Sequence, residues 1–107
     1  MRLSVVVPVF NEAATVQAVV RDLRNRPWIS EVVCVDDGSS AGTAERLREM
    51  TAAAEPGAAL TVIVQPVNRG KGAAVRRGFA AAAGDVRVIF DADREYDPAD
   101  LEGMFAL

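Results

Sequence analysis

Val32-Val33-Cys34-Val35, followed at once by Asp36-Asp37-Gly38-Ser39-Ser40, sets a short unbroken apolar run against a cluster of acids and turn-formers. The run does not alternate apolar and polar residues, and it is too short for a helix. Such a segment suits a strand covered on both faces, as in a parallel sheet. The same grammar recurs outward from it. With Glu31 as its first residue, the predicted strand Glu31 to Val35 is one of four, with Leu3 to Val9, Leu60 to Val64 and Val86 to Phe90, all rich in β-branched residues.

Helical patterns separate these runs. Val16, Val19, Val20 and Leu23 recur on one face, with Asn11 ahead of them as the expected N-cap. Ala44, Leu47 and Met50 mark a second helix, and Val75, Phe79 and Ala82 a third, which Gly84 is expected to close. Asp97-Pro98 opens a fourth, with Leu101, Met104 and Phe105 behind it. The order βαβαβαβα predicts a Rossmann-like α/β fold of four βα units, with a parallel sheet, right-handed crossovers and helices on both faces. Residues 51–59 read as a helix end and a surface loop around Glu55-Pro56-Gly57. The chain stops inside an amphipathic pattern without a terminator, so a C-terminally truncated domain over residues 1–107 is expected.

With 107 residues, half of them apolar, the chain has an ordinary globular composition for one domain. A net charge of −3 argues against a general nucleic-acid binder. The chain has no histidine, which excludes His-dependent triads and His-ligated metals, and its single cysteine, Cys34, reads as a buried inert thiol. There is no secretory leader pattern and no run of about 18 apolar residues. A cytoplasmic or membrane-peripheral location is expected.

The polar residues collect after the strands. Pro8-Val9-Phe10-Asn11-Glu12, Asp36-Asp37-Gly38-Ser39, Asn68-Arg69-Gly70-Lys71-Gly72 and Asp91-Ala92-Asp93 each follow an apolar run. In an open parallel sheet, ligands bind beyond the carboxyl ends of the strands, so these segments are predicted to share one rim. Alternation points Asp91 and Asp93 the same way, and two such charges about 4 Å apart repel by roughly 4 kcal/mol at an effective dielectric near 20. A hard divalent cation, Mg²⁺ or Mn²⁺, relieves that repulsion, with Glu95 and Asp97 adding oxygens nearby. A solvated acidic turn is the competing reading, and Asp97 before Pro98 is read as a helix start. One of Asp36 and Asp37 is suited to accept hydrogen bonds from a base edge or ribose. The alternative is a turn in which Gly38 bends the chain and Ser39 or Ser40 caps the next helix. Asn68 to Gly72 places cations and glycines before a helix N-terminus, a favourable anion site, although read alone the segment is a flexible loop with solvated cations. It has neither the P-loop nor the dinucleotide-fold glycine spacing.

Four segments, VVVPVFNE (5–12), VVCVDDGSSAGT (32–43), NRGKGAAVRRGF (68–79) and DADREYDP (91–98), resemble family 2 glycosyltransferases of the GT-A fold in order and spacing. The subgroup most similar is the dolichyl- or polyprenyl-phosphate sugar synthases. The resemblance implies that Pro8, Phe10 and Glu12 help hold the nucleotide, that Val35 and Asp37 meet the base, and that Lys71 is a basic contact. It likewise implies that Asp91, Ala92 and Asp93 contact the nucleotide-sugar, with Asp93 and Glu95 at the metal. Glu95 stands where relatives often carry Gln, Arg94 replaces a usually apolar residue, and Phe10 stands where Tyr is frequent. The implied reaction is metal-dependent, inverting transfer from a UDP- or GDP-sugar to an acceptor such as a polyprenyl phosphate at the membrane surface. An inactive nucleotide-binding fragment is the main alternative. A receiver-like acidic pocket is a second, set against by an acidic pair that ends the second strand rather than the first.

Overall fold

The computed structural model describes residues 2–11, 15–39, 42–53 and 57–90. They form β1 (Leu3–Val9), α1 (Val16–Arg24), β2 (Glu31–Asp37), α2 (Thr43–Ala52), β3 (Ala59–Gln65), α3 (Lys71–Ala81) and β4 (Val86–Ile89). All strands are parallel, in the order β3-β2-β1-β4. The chain steps outward twice from β1 and then crosses back, so β4 lies on the other side of β1.

The alternating valines divide the core in two. Val5, Val7 and Val9 of β1 and Val32 and Cys34 of β2 pack with Val16, Val19, Val20 and Leu23 of α1 and Leu47 and Met50 of α2. Val6, Val33 and Val35 face the other way and meet Ala74 and Ala82, with Phe79 partly buried beside them. The helices therefore lie on both faces, and because direction and face reverse together at α3, all three crossovers share one hand. Each valine or leucine that α1 buries contributes about 1.5–3 kcal/mol, an upper value against an extended unfolded chain.

α3 sits unusually close to the sheet. A Cβ at Gly78 would stand 2.4 Å from Val6 Cγ1 and 3.2 Å from Val35 Cγ2, so only glycine fits. The buried stripe of this helix is consequently Ala74 and Gly78, continued by Ala82, rather than the expected Val75 and Phe79, which are only partly covered.

Several local expectations are corrected. Asn11 does not cap α1, which starts five residues later behind Thr15. Asn11 instead adopts a left-handed conformation (φ 51°), which its short polar side chain tolerates, and donates its N–H to Ser39 Oγ at 2.8 Å. Ser39 is thereby committed to tying the ends of β1 and β2, and Gly42 occupies the position before α2 without a side-chain cap. Gly84 does not end α3. The helix stops at Ala81, Ala82 turns extended, and Gly84 is needed because a Cβ there would meet Ser4 Oγ at 2.5 Å and the Arg2 carbonyl at 2.8 Å. β2 and β3 run on to Asp37 and Gln65, beyond their apolar runs, and β4 ends one residue early at Ile89. The helix expected from Asp97-Pro98 lies outside the described residues.

Candidate functional site

Pro8 explains where the sheet opens. The Val6 carbonyl accepts the Phe90 N–H at 2.9 Å, so Val6 turns its backbone toward β4. Pro8, two residues on, faces the same side, where the β1–β4 pairing has already ended at Val6–Ile89. A missing N–H is harmless there, and the two strands part. This is the point at which strand order reverses, the place where open α/β sheets receive ligands.

A pocket of about 230 Å³ occupies this rim, lined by Pro8, Val9, Phe10, Asp37, Asn68, Gly70, Lys71 and Ala74. Three separate segments thus meet, and four of the residues singled out from sequence, Pro8, Phe10, Asp37 and Lys71, are among them. Phe10 is 46% exposed and offers its ring at the mouth. Val35 is elsewhere: it is fully buried beneath α3, outside the pocket lining. Glu12, Asp91, Ala92, Asp93 and Glu95 lie outside the described residues. β4, which Asp91 to Asp93 follow in sequence, runs parallel beside β1 and ends at the same rim.

Asp37 organises the site. It is only 4% exposed, and its oxygens are well supplied: Oδ1 accepts from Gln65 Nε2 and the Arg69 N–H, both at 2.8 Å, and Oδ2 from the Gly70 N–H at 2.9 Å. Asn68 Oδ1 also accepts the Gly70 N–H at 3.0 Å, closing a local turn before α3. These bonds deliver Lys71 and the positive N-terminal end of α3 to the pocket, which favours an anion. Gly38 lets the loop come this close. It holds φ +74°, and a Cβ would stand 2.5 Å from the Asn68 nitrogen.

The adjacent Asp36 points to the opposite face. It is 1% exposed, its Oδ1 has no hydrogen-bond partner among the described residues, and it borders a separate cavity of about 220 Å³ with Glu45 and Arg48. Cys34, one residue earlier, is fully buried, and desolvation pushes its thiol up to about 12 despite the opposing charge of Arg24. An inert core thiol is the result. Among the described residues, no group of three or more His, Cys, Asp or Glu could hold a metal, and no helix is long and apolar enough to cross a membrane.

Gln65 is not among the residues that the sequence singles out. Its signal was a polar residue ending an apolar run, in register beside Asp37 on the neighbouring strand.

The fold and site define a doubly wound, Rossmann-like α/β domain with a pocket at its switch point. The chain belongs to glycosyl transferase family 2, whose model matches residues 4–107. It is 36% identical over 105 residues to an undecaprenyl-phosphate 4-deoxy-4-formamido-L-arabinose transferase of Pectobacterium carotovorum, a match covering 92% of this chain and 31% of that protein. Among solved structures, a mannosyltransferase of Pyrobaculum calidifontis in complex with GDP-Man and Mn²⁺ superposes with a TM-score of 0.78 at 33% identity, over 86% of this chain and 27% of that one. Glucosyl-3-phosphoglycerate synthase of Mycobacterium tuberculosis, with Mn²⁺, UDP and glucosyl-3-phosphoglycerate, gives 0.73 at 28% identity, over 94% and 37%. The chain spans about a third of the length of the relatives it matches.

Proposed function

We propose that residues 1–107 form the nucleotide-sugar-binding part of an inverting glycosyltransferase. The donor is a UDP- or GDP-sugar, and the acceptor is a polyprenyl phosphate presented at a membrane surface. The observation that carries this reading is the meeting of Pro8, Phe10, Asp37 and Lys71 around one pocket at the switch point of a family 2 chain. The polyprenyl-phosphate transferase among its relatives supports the acceptor class, and the neighbours solved with GDP-Man or UDP and Mn²⁺ support the donor class and the cation.

In this reading the base enters beside Phe10 and Asp37, and the diphosphate lies toward Lys71 and the N-terminal end of α3. Asp93 and Glu95, with Asp91 and Ala92 at the nucleotide-sugar, would hold Mg²⁺ or Mn²⁺. When bound, the cation supplies charge neutralisation for the departing diphosphate. Glu12 helps hold the nucleotide. A polyprenyl phosphate is already anionic, so its oxygen attacks without a protein base, whereas a sugar hydroxyl would require one. For this chain alone the expected activity is nucleotide binding without turnover.

Calorimetric titration with UDP and GDP, with and without Mn²⁺, tests the proposal. Metal-dependent binding that Asp93→Ala abolishes is expected. Absence of binding by either nucleotide, or labelling of an aspartate by acetyl phosphate, would overturn it.

A further inference from the structure

An ionised carboxylate has room for about four hydrogen bonds. Among the described residues Asp37 uses three, two on Oδ1 and one on Oδ2, so a single acceptor position remains, on Oδ2. The three donors differ in what carries them. The Arg69 and Gly70 N–H groups belong to the loop before α3, the segment that also borders the pocket. Gln65 belongs to the sheet: it is the last residue of β3 and pairs in register with Asp37. It borders two other cavities, one with Asp36, Glu45 and Arg48 and one with Arg69 and Arg77, and not the pocket itself.

We infer that Gln65 is a positioning residue for ligand binding, holding the Asp37 carboxylate from behind so that its remaining acceptor is presented to an N–H donor of a nucleotide base. The inference rests on the nucleotide-binding reading above. A carboxylate held only by loop amides turns with the loop; one tied to β3 keeps its plane whatever the loop does. Gln65 touches no ligand and acts through Asp37. Lys71 and Arg69 are the cations that α3 and the loop before it bring to this rim.

The test is UDP and GDP affinity, measured by calorimetry with MnCl₂, for the wild-type chain and for Gln65→Leu and Gln65→Glu. Gln65→Leu is expected to weaken binding roughly tenfold, the loss of one charge-assisted positioning bond. Gln65→Glu places two carboxylates within hydrogen-bond distance, and their mutual repulsion makes the pair, as a unit, keep a shared proton to higher pH than a lone carboxylate does. Relative to wild type at each pH, its affinity is expected to be poor at about pH 8 and to recover at about pH 5.5, where a shared proton restores the bond. A merely structural glutamine predicts no such profile. Gln65→Leu binding within about twofold of wild type would overturn the inference and leave the nucleotide-binding reading standing. If Gln65→Leu fails to fold, a Gln65→Glu profile parallel to wild type overturns it equally. Failure of the wild-type chain to bind either nucleotide removes both.

Discussion

β2 carries a carboxylate at each end, and the two grip opposite ends of α3. At the carboxyl rim Asp37 accepts the Arg69 and Gly70 N–H groups ahead of the helix, with Gln65 as side-chain donor. At the amino rim Glu31 Oε1 accepts the Ala83 N–H at 2.9 Å behind it, with Ser4 Oγ donating at 2.7 Å, and Ser4 Oγ in turn accepts the Gly84 N–H. The device is the same: an acid on the sheet, a side-chain donor from the neighbouring strand, and loop amides. Only the setting differs. Asp37 borders a pocket where the sheet splits, whereas Glu31 sits where β1 and β4 are fully paired. A clamp becomes part of a site when topology puts a crevice beside it.

The pair can be pulled apart by substitution. Asp37→Ala strands two backbone N–H groups and the Gln65 amide, so a loss of about 3–5 kcal/mol in urea unfolding is expected, together with loss of nucleotide binding. Retained binding at near wild-type affinity would dissolve the distinction between the rims. Gly38→Ala forces a side chain into a left-handed position against the Asn68 backbone. It should cost about 1–3 kcal/mol and loosen exchange protection at the Arg69 and Gly70 amides before those of Ala83 and Gly84. Uniform loosening of both loops would contradict the local account. Glu31→Ala should cost about 1–2 kcal/mol with nucleotide affinity unchanged, since the clamp there serves the scaffold alone; a matching fall in affinity would show that the rims are coupled through α3.

The smallest effect concerns Cys34, which lies midway between the two acids on β2. Its thiol is held up to about 12 when folded, above the ordinary value of 9.0. Below 9 both states keep the proton and stability is unaffected. Above it the unfolded thiol ionises first, so stability falls by about 1 kcal/mol per pH unit as pH rises from 9 toward 12. Cys34→Ala should flatten that part of the unfolding profile, and an unchanged slope would assign the loss to other groups.

Residues whose placement follows from periodicity were legible without coordinates. The runs Leu3 to Val9 and Val32 to Val35 and the stripe Val16, Val19, Val20 and Leu23 state their own burial, and the strand-end position of Pro8, Phe10, Asp37 and Lys71 follows from α/β topology. What was not legible depends on distances between segments remote in sequence. Gly78 and Gly84 look like helix interior and helix end, yet their roles are set by Val6 and Ser4, more than 70 positions away. Ser39 looks like a cap until Asn11 arrives to claim its hydroxyl. Gln65 is unremarkable until the register lays it beside Asp37.

The order in which the two faces of the sheet are covered also has a consequence for synthesis. A nascent chain complete through Gln65 already owns β1, β2, β3 and the two helices of one face, but Val6, Val33 and Val35 on the other face wait for α3. Until that helix leaves the ribosome, a greasy plate of valines stands uncovered. The emerging polypeptide thus passes through a stage with exposed apolar surface of the kind that favours aggregation, and Gly78, by letting α3 lie close, ends it.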